Sequence, residues 1–151
     1  MRRLVFAGLL LGSVVVYATD EVFDVTMRLL ADIVITENNA LVFPDTPRGA
    51  ANIVVLTTDA GAADFSATGQ ASTGFTKSIA DPGGAITMLR SGGTPGNTPD
   101  EIVVDTFVLA GPVAFDATGN ATGLKVGATA HVLAEDLAGD YLGTATFRMI
   151  Y

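Results

Sequence analysis

Across residues 19–36, apolar residues recur at every second position: Phe23, Val25, Met27, Leu29, Ala31, Ile33 and Ile35. Between them stand Asp24, Thr26, Arg28, Leu30, Asp32, Val34 and Thr36, polar except for Leu30 and Val34. A period of two is a β-strand pattern, because successive side chains of a strand point to opposite faces. At about 3.3 Å per residue the run would span roughly 40 Å, far beyond the usual five or six residues. Either the chain bends into two strands here, or part of the run pairs with something outside its own domain. The second alternative divides it into an extension over residues 19–30 and a resident strand over residues 31–36.

The residues before it have the marks of an export signal. Arg2 and Arg3 precede an almost wholly apolar run over residues 4–16, and Val16-Tyr17-Ala18 places small residues at the third and first positions before a cut. The apolar run falls short of the roughly 20 residues that a transmembrane helix needs. Residues 1–18 are therefore read as a signal peptide and residues 31–151 as a single domain.

Charge and cysteine content narrow the function. Eight basic residues face sixteen acidic ones, a formal charge of −8. Loss of Arg2 and Arg3 with the leader would leave six basic against sixteen acidic residues, or −10. Nucleic-acid binding calls for clustered Lys and Arg, so no nucleic-acid partner is expected. The chain has no cysteine, so its fold rests on burial and backbone pairing rather than disulfides.

The rest of the chain reads as short strands between turn signals. Strands are expected at residues 41–43, 51–57, 64–68, 74–79, 85–90, 101–109, 114–118, 124–134 and 143–151. Residues 51–57 form a β-branched run without clean alternation, which predicts a strand covered on both faces. In residues 101–109, Ile102, Val104 and Val108 are expected on one side, with Val103, Phe107 and Leu109 on the other. In the last strand, Ala145, Phe147, Met149 and Tyr151 share a face. Thr36-Glu37-Asn38-Asn39 and Asp81-Pro82-Gly83-Gly84 read as turns. Residues 91–100 carry three glycines, two prolines and no apolar anchor, and so read as a surface loop. An echo joins Phe65-Ser66-Ala67-Thr68-Gly69 to Phe115-Asp116-Ala117-Thr118-Gly119, two similar strand-to-turn corners. Many short strands, regular turns and no helical periodicity predict an all-β fold, an immunoglobulin-like β-sandwich.

No catalytic set is visible, and the chain is not expected to be an enzyme. His131, the only histidine, stands on the polar face of an alternating strand with no sequence neighbour to orient it. No spacing of His, Asp and Glu resembles a zinc site, and thiolate chemistry is absent with cysteine. Asp59, Asp64, Asp81, Asp100, Asp116, Asp136 and Asp140 fall at turns, where aspartates cap their own backbone. The stretch from Asp116 to Asn120 is the nearest to a calcium loop but lacks the regular oxygen series and the distal glutamate. Asn120-Ala121-Thr122 is a formal glycosylation sequon. Neither a metal nor a cofactor is expected.

The C-terminal quarter resembles a known family. The stretch from Phe115 to Gly119, then Leu124-Lys125-Val126-Gly127-Ala128-Thr129-Ala130, then the run from Ala138-Gly139-Asp140-Tyr141 to Tyr151 resemble a bacterial secreted domain family of uncharacterised function. That family typically shows "VGATL", an "AGxYxG" corner (here Gly139 and Tyr141) and a final strand closing on tyrosine. Leu41-Val42-Phe43 resembles its "LxFG" strand, with Pro44 where glycine is usual, and residues 63–69 resemble its "AxFxxTG" strand. The closing pattern is also similar to spore-coat-U-like and archaic chaperone–usher pilin subunits.

That resemblance implies an incomplete sandwich whose missing strand is supplied by the N-terminal extension of a neighbouring subunit. A periplasmic chaperone would fill the groove in transit, and an outer-membrane usher would export the fibre to the cell surface. Phe23, Val25, Met27 and Leu29 are then the donor side chains, and burying four such groups would contribute about 6–10 kcal/mol before ordering costs. The last strand, with Ala145, Phe147, Met149 and Tyr151, would form one wall of the receiving groove. The alternative is a monomeric secreted or cell-surface binding module with a complete sandwich, using the loop at residues 91–100.

Overall fold

A computed structural model describes residues 21–151, so the leader at residues 1–18 lies outside the described residues, as do Thr19 and Asp20. The strands are β1 (Val34–Asn39), β2 (Ala51–Val55), β3 (Ala63–Thr68), β4 (Thr76–Ile79), β5 (Ile86–Arg90), β6 (Glu101–Ala110), β7 (Asn120–Val132), β8 (Tyr141–Leu142) and β9 (Phe147–Ile150). The fold is all-β, as the turn spacing predicts. A seven-stranded sheet runs β1-β3-β7-β6-β5-β8 with β2 also paired to β7, and β4 and β9 form a second sheet. Every pairing is antiparallel.

The thirteen-residue strand β7 organises the large sheet. Its first half pairs with β3, its second half with β2, and its other edge with β6. The alternation Leu124, Val126, Ala128, Ala130 buries one face. Leu124 and Val104 have no exposed surface, and burial of each contributes about 2 kcal/mol.

The core divides in two. One cluster joins Ala67, Phe75, Phe115, Ala121, Leu124 and Met149, with Ile33, Ile35, Phe65 and Phe147 packed against it. The other is Ile102, Val104, Ala128 and Ala130, flanked by Leu41, Phe43, Ile53, Met88 and Tyr141. The echoed corners meet beside the first cluster, where the Gly69 N–H donates to the Gly119 carbonyl at 2.9 Å.

Several strand assignments differ from the sequence reading, each for an identifiable reason. β1 begins at Val34 rather than Ala31 and runs through Asn39, where a turn is expected. Pairing with β3 carries these turn-forming residues into the ladder, with a register irregularity between Glu37 and Asn39. β2 is covered on one face only: Val55 is buried and Ile53 half-buried, while Asn52 and Val54 are exposed. In β6 the register slips between Asp105 and Val108, and Thr106 takes φ 50°. A bulge sets two residues against one and reverses the facing of the residues beyond it. Phe107 therefore packs with the second cluster on the side of Ile102 and Val104, and Val108 is exposed.

Residues 114–118 form no strand, only a bridge between Gly74 and Ala114. There Asp116 Oδ1 caps the turn by accepting from the Thr118 and Asn120 N–H groups. The loop at residues 91–100 is not loose, because its anchor is polar. Asp100, 4% exposed, accepts from Arg90 Nε and Asn97 Nδ2, both at 2.7 Å, and from the Thr94 N–H at 3.2 Å.

Three carboxyls are held below their usual range by such bonds: Asp100 chiefly by Asn97, Asp105 chiefly by His131, and Asp116 chiefly by the Asn120 N–H. An unfolded Asp titrates near 3.9, so their contribution to stability is complete above roughly that pH. It is lost as the pH falls through the lower folded values. Urea midpoints followed by circular dichroism should therefore drop steeply below about pH 4, and Asp100→Asn should flatten that slope while lowering the midpoint at pH 7.

The last strand is broken. β8 pairs with β5, β9 pairs with β4, and residues 143–146 cross between the sheets. The Thr146 N–H donates to Asp81 Oδ2 at 2.7 Å, and its carbonyl accepts from the Ala80 N–H at 2.8 Å. The expected common face of Ala145, Phe147, Met149 and Tyr151 is therefore not uniform. Ala145 is exposed, Phe147 half-buried, Met149 buried and Tyr151 42% exposed.

Candidate functional site

Residues 21–33 carry no secondary structure and pair with no strand among the described residues. Phe23, Val25, Met27 and Leu29 are 79%, 82%, 83% and 79% exposed. Apolar side chains exposed in an alternating row of this length are unusual in a folded chain. The domain takes hold of the chain at Ala31, whose carbonyl accepts from the Tyr151 hydroxyl at 2.6 Å. The Tyr151 hydroxyl oxygen in turn accepts from the Gln70 N–H at 2.7 Å. Ile33 and Ile35 then pack on the first core cluster, so the arm leaves from that end of the molecule.

Over the second cluster lie two adjoining apolar cavities, of about 890 and 220 Å³, sharing Ala40, Leu41, Phe43, Met88 and Gly143. One wall is residues 40–48, which form no strand. The other is the chain from Asp136 through β8 to Phe147. Ile53, Ile102 and Ala130 floor the larger cavity, and Val104, Phe107 and Val126 the smaller. β9 pairs with β4 on one edge only, and its other edge has no partner among the described strands. Such an edge presents a row of free N–H and C=O groups. The final wall passes from the larger cavity toward Tyr151 and the root of the arm.

Of the residues expected to receive a donor, Ala145 and Phe147 line the smaller cavity. Met149 belongs to the first cluster, and Tyr151 holds Ala31, so neither lines a cavity. Gly139 and Tyr141 line the larger one. Gly139 has φ 152°, and a Cβ there would come within 3.1 Å of the Arg90 side chain. The Tyr141 hydroxyl lies 2.7 Å from the Leu137 carbonyl and 3.1 Å from that of Pro99, and burial raises its pKa. The wall residues Leu41 and Phe43 and the floor residues Ile53 and Met88 escape the sequence reading. Pro44 and Pro47 after Phe43 are the one available signal, since proline cannot donate to a ladder.

His131 is oriented from neighbouring strands. Its Nδ1 lies 2.7 Å from Asn52 Oδ1 and its Nε2 2.9 Å from Asp105 Oδ1, which ties β2, β7 and β6 together away from the groove.

No protein-family description, curated protein or solved structure matches the chain.

Proposed function

We propose that this protein is a structural subunit of an extracellular, pilus-like filament that grows head to tail by donor-strand exchange. The observation that carries this reading is that one domain has both an exposed apolar arm and an open apolar groove. An exposed arm presents Phe23, Val25, Met27 and Leu29, and an apolar groove is lined in part by Phe147 of β9, a strand with one edge unpaired among the described strands. A strand added at such an edge gains main-chain hydrogen bonds, and its alternate side chains fill pockets.

The arm suits a neighbour's groove better than its own. To fold back, the chain would have to reverse within residues 30–33, which contain no glycine or proline and are tied at Ala31. A head-to-tail contact that does not close on itself extends into a filament. For the donor's own domain to sit beyond the open end, the arm must run antiparallel to β9. Leu29 is then near the mouth and Phe23 deepest, about 20 Å further in. Until a neighbour arrives the groove needs a cover, which the family resemblance assigns to a periplasmic chaperone, with an outer-membrane usher for export to the cell surface.

Deleting residues 20–30 removes nothing from either core cluster. The shortened chain should fold, with the far-ultraviolet spectrum of the parent, and remain monomeric by sedimentation and electron microscopy. Filaments from the shortened chain would refute donor-strand exchange. A second reading, a monomeric binding module, draws on the 890 Å³ cavity, a volume that suits a small apolar ligand. It requires a full-length protein that stays monomeric at high concentration.

A further inference from the structure

We infer that the Tyr151 hydroxyl is a positioning group for the arm. It clamps the arm's root at Ala31, holds the free linker between successive subunits to two residues, and so stiffens the filament. The inference rests on the donor-strand reading above. The clamp joins two points 120 residues apart in the chain. The Tyr151 hydroxyl oxygen accepts from the Gln70 N–H at 2.7 Å, which directs its own proton to the Ala31 carbonyl 2.6 Å away.

The two echoed corners build the seat for that hydroxyl. The Tyr151 ring lies tilted against that of buried Phe115, with centroids 6.1 Å apart. A Cβ on Gly69 would come within 2.8 Å of the Tyr151 hydroxyl oxygen and 2.5 Å of the Phe115 ring, so a side chain there would close the seat. A Cβ on Gly119, the matching glycine of the second corner, would stand 2.6 Å from the Gly69 carbonyl oxygen. The absence of side chains at both positions lets the corners meet and leaves room for the tyrosine.

Exposure marks where the arm ends and the domain begins. It falls from 79% at Leu29 to 40% at Leu30, and Ile33 is the first side chain packed on a core cluster. With Leu29 seated in a neighbour, the clamp at Ala31 leaves two residues, about 7 Å of extended chain, between one domain and the next. Without the clamp the first hold is Ile33, four residues from Leu29 and about 13 Å along the chain. The ends of a free linker explore more space as it lengthens, so neighbouring domains would swing and twist more widely. Tyr151 lines neither cavity, so its loss leaves strand entry intact and is read in the filament's mechanics rather than its growth.

The test images filaments of the full-length chain by electron microscopy. Y151F keeps the ring and removes the hydroxyl, so it should melt within about 5 °C of the parent. The Gln70 N–H, left without its acceptor, should exchange faster. Elongation should stay within about twofold of the parental rate, while the persistence length falls by at least about half. A chain with Gly-Ser inserted between Leu30 and Ala31, Tyr151 intact, should soften to a similar degree, because its free linker is also four residues long. Y151F or insertion filaments as stiff as the parent's, or a Y151F chain that folds but cannot elongate, would overturn the inference. Met27→Asp separates the two levels. If it blocks growth while Y151F filaments stay stiff, only the clamp is wrong; if it leaves growth intact, donor-strand exchange itself fails.

Discussion

Met27→Asp is expected to abolish filament growth while leaving the domain's melting temperature unchanged. The two halves of this result have separate physical causes. Met27 is 83% exposed and belongs to neither core cluster, so replacing it removes no packing from its own domain. Exposed positions of this kind usually change stability by less than about 0.5 kcal/mol. In a neighbour's groove the same position would be buried. The lost thioether contributes about 2 kcal/mol of burial there, and an unpaired carboxylate in an apolar pocket costs several more. A combined loss of about 5 kcal/mol corresponds to three to four orders of magnitude in affinity. Thermal melts of the monomer and elongation assays on the same preparation check both halves. Growth at the parental rate would show that the arm's apolar face is not what the groove receives.

The arm and the all-β fold are legible in the sequence because both depend on a period of two and on turn chemistry, which are local. The alternation from Phe23 to Ile35 is visible without a partner, since it records only which side chains point the same way. Alternation alone cannot distinguish a strand paired at home from one left unpaired. Exposure divides this run, which is free through Leu29 and packed from Ile33 onward. The bulge at Thr106 leaves no local signal. No glycine or proline marks it, and its effect on the facing of Phe107 and Val108 comes from pairing with β7.

The groove is less legible than the arm. It is bounded by residues 40–48 and by the chain from Asp136 to Phe147, segments nearly a hundred residues apart. The groove is a property of the space between them, and neither segment encodes it alone. The expected face running from Ala145 to Tyr151 does not form because the chain changes sheets at residues 143–146. Ala145 and Phe147 join the groove, Met149 joins the first core cluster, and Tyr151 holds the root of the arm. The order of the loop at residues 91–100 is invisible to a search for apolar anchors, because Asp100 holds it through three hydrogen-bonding neighbours.

Gly127→Ala should produce the opposite signature, a large loss of stability that weakens assembly only as a consequence. Gly127 lies within β7 where β2 ends, and a Cβ there would stand 2.3 Å from the Val55 carbonyl oxygen. It would also stand 3.0 Å from Leu56 C and Thr57 N, all backbone atoms that no rotamer change can move aside. Relief requires β2 to shift against β7, which breaks the register pairing Val55 with Ala128. Overpacking of this kind costs about 2–3 kcal/mol, or roughly a 10 °C fall in melting temperature for a domain of this size. Gly123→Ala is the comparison: with φ 70° and open space around it, the cost is backbone strain alone, about 1–2 kcal/mol. Amide exchange locates the damage, since Gly127→Ala should expose the N–H groups of β2 while β3 keeps its protection. Because β2 carries Ile53 to the groove floor, the variant should also hold a neighbour's arm less tightly. Reduced arm binding together with loss of β2 protection would tie the groove's shape to this single close approach, whereas Met27→Asp must act with the domain fully intact.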